Sequence, residues 1–216
     1  MKYFQFFILT VFSFFQYGHS TIGFDAIGSI STSTMKCIKE SGYEFFIGRI
    51  WRSMGAHDSE GIQNIKNAHE AGYKYVDGYL FPCTTSKCSS AKTQVKEAHK
   101  ALTAAGAKIG TLWMDIERYE WPSDKAHNKQ FILDLVSEAE ALGYTVGIYS
   151  SYYSWDAIVG AEWNGGLNRL PLWWPDYDNK KSFDNFKEFG GFKPSIKQYA
   201  GDKDGPCGVN MDLSWY

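Results

Sequence analysis

Two hydrophobic periods alternate along residues 20–150. The runs IGFD (22–25), FFIGRIW (45–51), YKYVDGYLF (73–81), KIGTLWMDI (108–116) and TVGIYS (145–150) have the length and the β-branched and aromatic content of strands. Between them, residues 60–72, 91–106 and 125–143 place apolar side chains three and four apart. Each of these segments closes on a glycine, Gly72, Gly106 or Gly143, where a helix can end in the left-handed region. Strands alternating with helices in this way predict parallel strands joined by crossover helices. After Ser150 the rhythm changes. LPLWWP (170–175), PSIKQYA (194–200) and GVNMDLS (208–214) predict three further strands, and the Gly-, Asn-, Asp- and aromatic-rich segments between them predict no long helix. The pattern therefore predicts an α/β fold of eight strands with about five helices crowded into the first two thirds. No linker, low-complexity tract or repeat divides it, so residues 21–216 read as one domain, long enough for a sizeable core.

The first twenty residues read differently. Met1 to Ser20 carries one lysine and then FQFFILTVFSFF, an apolar core too short to span a membrane, followed by Gly18-His19-Ser20 as a small-residue cleavage site. This predicts a secretion signal, with export to the extracellular space or to the lumen of a digestive or phagocytic compartment. Without Lys2 the 22 Lys plus Arg become 21 against 24 Asp plus Glu, a formal charge of about −3 with no basic run. Nucleic acid and anionic membrane surfaces are poor partners for such a chain. In an exported protein, cysteines without paired CxxC spacing point to disulfides rather than zinc. Of the three ways to pair four thiols, Cys83 with Cys88 is local and leaves Cys37 with Cys207 to tie early chain to late.

The candidate chemistry lies in Lys108 to Trp121, KIGTLWMDIERYEW. Alternation sends Leu112, Met114 and Ile116 to one face of the strand. Ile109, Thr111, Trp113, Asp115 and Glu117 go to the other. If this is the fourth strand of a parallel barrel, Asp115 and Glu117 emerge at the carboxyl end, where barrels keep their chemistry, roughly 7 Å apart along the strand. Like charges and an apolar wall such as Trp113 raise the pKa of one member, leaving a proton donor beside an ionised partner. Glycosidic bond cleavage needs that asymmetry. An isolated Asp-x-Glu at a strand end is more commonly a solvated surface pair, so the context has to carry the argument.

The context is a set of motifs: IGFD directly after the signal, WMDIE, LPLWWPDYD, SIKQYA and VNMDLS. Together they resemble the Chalaropsis-type lysozymes, the muramidases of glycoside hydrolase family 25, over nearly the whole mature chain. The resemblance implies an irregular, TIM-like barrel with an acidic cleft at the strand ends, acting as a monomer on peptidoglycan glycan strands. It places the cleft acids at Asp25, Asp115, Glu117 and Asp212, all acidic here. The chain departs from the family pattern at WWPDY and in the Cys83–Cys88 loop. From position and length, Glu117 reads as the general acid and Asp115 as the carboxylate held ionised against positive charge at the anomeric carbon. Attack by a substrate 2-acetamido group, steadied by that carboxylate, is an alternative route. Asp25 and Asp212, on the first and last strands, become neighbours if the barrel closes. Each either positions water or simply orders the cleft.

Aromatic residues make up 17% of the chain and cluster near predicted strand ends. Tyr79, Tyr149 and Trp174, with Tyr119 and Tyr177, are candidates for stacking on sugars, and Trp121 and Tyr152 are weaker ones; large aromatics are more often core. Arg49 and Arg118 read as balancing charges. No HExxH or HxH spacing occurs, and nothing calls for a metal or another cofactor. Ser150-Ser151 and His57 form no nucleophile constellation. Two other functions compete. A chitinase would need aspartates where Gly110 and Trp113 stand, and a peptidoglycan-binding lectin without activity would be expected to have lost an acid.

Overall fold

The structure, a computed structural model, describes residues 20–216, so all of the expected secretion signal except Ser20 lies outside the described residues. The strands are β1 (Ile22–Ala26), β2 (Phe45–Arg52), β3 (Ala56–His57), β4 (Tyr75–Leu80), β5 (Thr111–Asp115), β6 (Thr145–Tyr149), β7 (Leu172–Pro175), β8 (Pro194–Asp204) and β9 (Asn210–Trp215). The helices are α1 (Thr32–Glu40), α2 (Ser59–Glu70), α3 (Ala91–Ala105), α4 (Lys125–Ala141) and α5 (Tyr152–Ile158). Around the sheet the order is β1-β9-β8-β7-β6-β5-β4-β2, and β1 pairs with β2 to close an eight-stranded barrel. The short β3 forms a hairpin on β2 outside the ring.

The pattern-based expectation differs from the fold in two places. The last strand is not parallel: β9 runs antiparallel to both β8 and β1, because only a short turn at 205–209 joins it to β8 and leaves no room for a crossover helix. Helix α1 was not legible, since its nine residues bury only Met35 and Ile38; Ser31 caps it by accepting a hydrogen bond from the Thr34 N–H. A short helix, α5, follows Ser150, where only a long one was ruled out, and is capped in the same way by Ser151. The three glycine stops do adopt positive φ, at 86° for Gly72, 65° for Gly106 and 87° for Gly143. In each case the next residue, Tyr73, Ala107 or Tyr144, donates its N–H back to the helix, to Ala68, Leu102 and Ala139. That closure holds Tyr73 out of β4, which therefore begins later than the apolar run.

Two apolar layers result. Leu112, Met114 and Ile116 face outward into the large core between barrel and helices. The barrel interior holds Phe45, Ile47, Tyr79, Trp113, Tyr149 and Trp173. Such rings fit because the neighbouring strand supplies glycine at the paired position: a Cβ on Gly147 would collide with the Trp113 ring, and one on Gly23 with the Phe45 ring. Trp173 is central, with ring centroids 4.6 Å from Tyr149, 6.0 Å from Trp113 and 6.1 Å from Tyr79. Its indole N–H donates to Ser214 Oγ, and that of Trp113 to Asp77 Oδ2, so neither buried ring leaves a donor unmet. Disulfides join Cys37 to Cys207, tying α1 to the β8–β9 turn, and Cys83 to Cys88 in the loop after β4.

Candidate active site

The aromatic plug is the floor of a cavity of about 210 Å³ at the carboxyl ends of the parallel strands, and Asp25, Asp115, Glu117 and Asp212 all line it. Asp25 lies at the end of β1 and Asp115 at the end of β5, with Glu117 two residues further on the same face. Asp212 arrives from the opposite direction: antiparallel β9 brings it directly across from Asp25 in register. The Glu117 backbone is fixed from several sides. Ile116 donates its N–H to the Tyr149 carbonyl and accepts from Ser150 Oγ through its own carbonyl, and the Trp121 indole donates to the Glu117 carbonyl at 2.9 Å.

Gln198 organises the other side of the cluster, a role the sequence did not disclose. It is 2% exposed. Its amide nitrogen donates to Asp25 Oδ1 at 2.8 Å and, over a longer 3.4 Å, to Asp212 Oδ2. Its oxygen accepts from the Tyr149 hydroxyl at 2.7 Å and the Tyr177 hydroxyl at 2.9 Å. One amide therefore orients two acids and two phenols. Asp212 is also held by the Asp202 N–H at 2.7 Å. Asp202 has φ of 51°, a left-handed conformation unusual for aspartate, in a stretch of β8 whose register against β9 shifts between Ala200 and Lys203. The bulge turns that N–H toward the cleft.

Electrostatics follow from burial. Desolvation pushes the Asp115 carboxyl well above its ordinary range, Glu117 and Asp25 raise it further, and Arg49 opposes them. Asp25 is raised well above its usual value, mainly by burial and then by Asp212. Burial and Asp212 raise Glu117, and burial raises Asp212 against the pull of the Asp202 N–H. Asp115, expected to be the ionised member, is deeply buried and its Oδ1 has no hydrogen-bond partner among the described residues, so in the free cleft its surroundings disfavour the charged form. Burial and mutual repulsion thus favour the protonated form at each of the four acids relative to an exposed carboxyl. Arg49 faces the cavity, but its Nε is 2.6 Å from Asp58 Oδ2 and serves as a balancing charge.

Beyond Glu117 the cavity opens into a second lobe of about 610 Å³, and Glu117, Tyr149 and Tyr177 line both. Tyr79 lines only the inner lobe, and Trp174 and Tyr152 only the outer. Trp174 sits on the outer face of β7 among core residues, 4.8 Å from Lys197 Nζ. Tyr119 lies apart from both lobes, exposed and against Phe81 at 5.5 Å. Trp121 packs on Phe131, and the Arg118 backbone N–H bonds to Ser154. Besides Gln198, the residues missed from sequence are Trp173, Phe81 and the fully buried Lys197. Lys197 bridges Asp178 at 2.7 Å and Asp176 at 3.1 Å, anchoring the loop that carries Tyr177. A lysine and a glutamine inside the apolar SIKQYA run were the available signal.

Comparison with known proteins gives a consistent answer. The sequence model of the family described as "Lysozyme-like protein 1" matches residues 16–199. Lysozyme-like protein 5 of Caenorhabditis elegans is 51% identical over 194 residues, covering 89% of this chain and 90% of the relative. Probable GH family 25 lysozyme 2 of Dictyostelium discoideum is 36% identical over 195 residues, covering 90% of each. Among solved structures, a bacterial lysozyme from Streptomyces coelicolor superposes with a TM-score of 0.70 at 20% identity over 90% of both chains. A muramidase from Acremonium alcalophilum gives 0.68 at 19% identity, covering 91% of this chain and 93% of that one, and shares the fold. The barrel, the acid cluster at its mouth and these relatives place the chain among the lysozyme-like glycoside hydrolases of family 25.

Proposed function

We propose that the protein is a secreted muramidase that hydrolyses the β-1,4 bond between N-acetylmuramic acid and N-acetylglucosamine in bacterial peptidoglycan, in defence or digestion. The observation that carries this reading is the place of Glu117, the one carboxylate common to the acid cavity and the open lobe. A glycan lying in the open lobe presents its bridging oxygen to that group, and partial burial keeps a proton on Glu117 at pH values where an exposed glutamate has lost it. Asp115 lies beneath. In the free cleft burial favours its protonated form, whereas positive charge growing at the anomeric carbon favours the ionised one, so its charge is stabilised most in the transition state. Gln198, Asp25 and Asp212 order water and the sugar beside it.

The test is release of reducing ends from purified bacterial cell walls. Wild-type protein releases them, and Glu117→Gln, which keeps shape but loses the proton, slows release by at least about a hundredfold while still binding the walls. Undiminished hydrolysis by Glu117→Gln would remove Glu117 as the acid; wall binding without hydrolysis by the wild type would make the chain a lectin. Because a carboxylate must ionise while Glu117 keeps its proton, the rate traces a bell on the acidic side of neutrality, lying above the ordinary carboxylate range because burial raises these groups.

A further inference from the structure

The cleft that receives the glycan is acidic, yet peptidoglycan itself carries carboxylates, on the lactyl ether of the muramoyl sugar or on its stem peptide. A cation in the groove complements such a ligand, whereas any cleft acid that ionises repels it. Two cationic side chains line the two lobes, and Arg49 is already bound to Asp58. The other is Lys187, in the open lobe. Its Nζ stands 3.3 Å above the Tyr152 ring centroid and 5.7 Å from that of Tyr153, and it makes no ion pair among the described residues. Asp176, the acid closest in sequence in that lobe, is taken up by Lys197 and by the Asn185 amide. The tyrosine faces hold the ammonium in place and leave its charge for a ligand.

Resting on the muramidase reading, we propose that Lys187 is a specificity-determining residue that binds a carboxylate of the muramoyl unit in the open lobe and thereby favours peptidoglycan over an uncharged chitin-like glycan. The contact is made equally in ground and transition states, so its loss appears in KM and not in kcat.

The experiment compares wild type, Lys187→Gln and Lys187→Arg on three soluble glycans: strands stripped of peptide, which expose the lactyl carboxylate; strands with the stem peptide, in which that carboxyl is an amide; and stripped strands with the carboxyl reduced to an alcohol. Lys187→Gln should raise KM about fivefold on one or both charged glycans, as expected for a partly exposed ion pair, and leave the reduced glycan unaffected. Lys187→Arg should restore the wild-type KM. An effect confined to stripped strands identifies the lactyl carboxylate, and one confined to peptide-bearing strands identifies the stem. Equal KM for wild type and Lys187→Gln on both charged glycans, or the same rise on the reduced one, overturns the proposal. If the wild type cuts none of the glycans, the muramidase reading fails separately. Calorimetric affinities for the same three glycans then decide: an affinity loss by Lys187→Gln limited to charged glycans supports the contact, and unchanged affinity overturns it.

Discussion

Replacing Gln198 with leucine isolates the part played by the central amide, because volume is kept and all four of its hydrogen bonds are removed. Two of the four partners are deeply buried, Asp25 and Tyr149, each below a tenth exposed. Tyr177 is 53% exposed, so its hydroxyl regains water, and the Asp212 contact is long at 3.4 Å. An orphaned buried polar group costs about 1–3 kcal/mol. Because the cavity borders the cleft and admits water, the low end applies to both, giving about 2 kcal/mol. For a domain of this size that lowers the melting temperature by about 4–8 °C. Activity should fall more steeply, since acids and phenols lose their common reference and a displacement of 1 Å at such a site costs up to about a hundredfold. Gln198→Glu is the informative companion: it keeps an acceptor for the two phenols but sets another carboxyl against Asp25. Its hydrolysis should persist at low pH, where the new group is protonated, and collapse as pH rises. Thermal melts and wall hydrolysis across pH measure both variants. A Gln198→Leu protein with wild-type melting temperature and rate would refute the assignment of Gln198 as organiser of the cluster.

Asp115→Asn should stabilise the fold near neutral pH. Burial, Glu117 and Asp25 raise the folded-state value, so the native state binds the proton more tightly; that stability is complete below the unfolded value of about 4 and is lost as pH rises through the folded one. The variant's gain in melting temperature should therefore shrink toward pH 4, and a gap independent of pH would contradict the assignment. Breaking the Cys37–Cys207 link, whose partners are 170 residues apart, should cost about 5 kcal/mol on the chain-entropy account, read from denaturant melts of the double serine variant. An unchanged midpoint would show that the link does not restrain the unfolded chain. Mass spectrometry of protein exported by its host should find a chain starting at about Thr21 with no alkylatable thiol before reduction; retention of Met1 to Ser20 would exclude the secretion reading.

The sequence by itself determined whatever depends on local pattern. Alternation along KIGTLWMDI placed Trp113 and Asp115 on one face and Leu112, Met114 and Ile116 on the other, and the structure sends those sets to the barrel interior and the outer core. Glycines at 72, 106 and 143 marked helix ends because only a residue free to take positive φ closes a helix so tightly. The local spacing of Cys83 and Cys88 left one sensible pairing for the others. What tertiary structure decided is strand direction and the side-chain contacts made between distant segments. The antiparallel course of β9 puts Asp212 opposite Asp25 although 187 residues separate them, and no periodicity records strand direction. Gln198 meets Asp25 from 173 residues away, and in sequence it is a polar interruption of an apolar run. The raised proton affinity of Asp115 likewise arises from burial beneath Glu117 and beside Asp25, since a pKa is set by the charges and dielectric around a group, which belong to the folded barrel rather than to its neighbours in the chain.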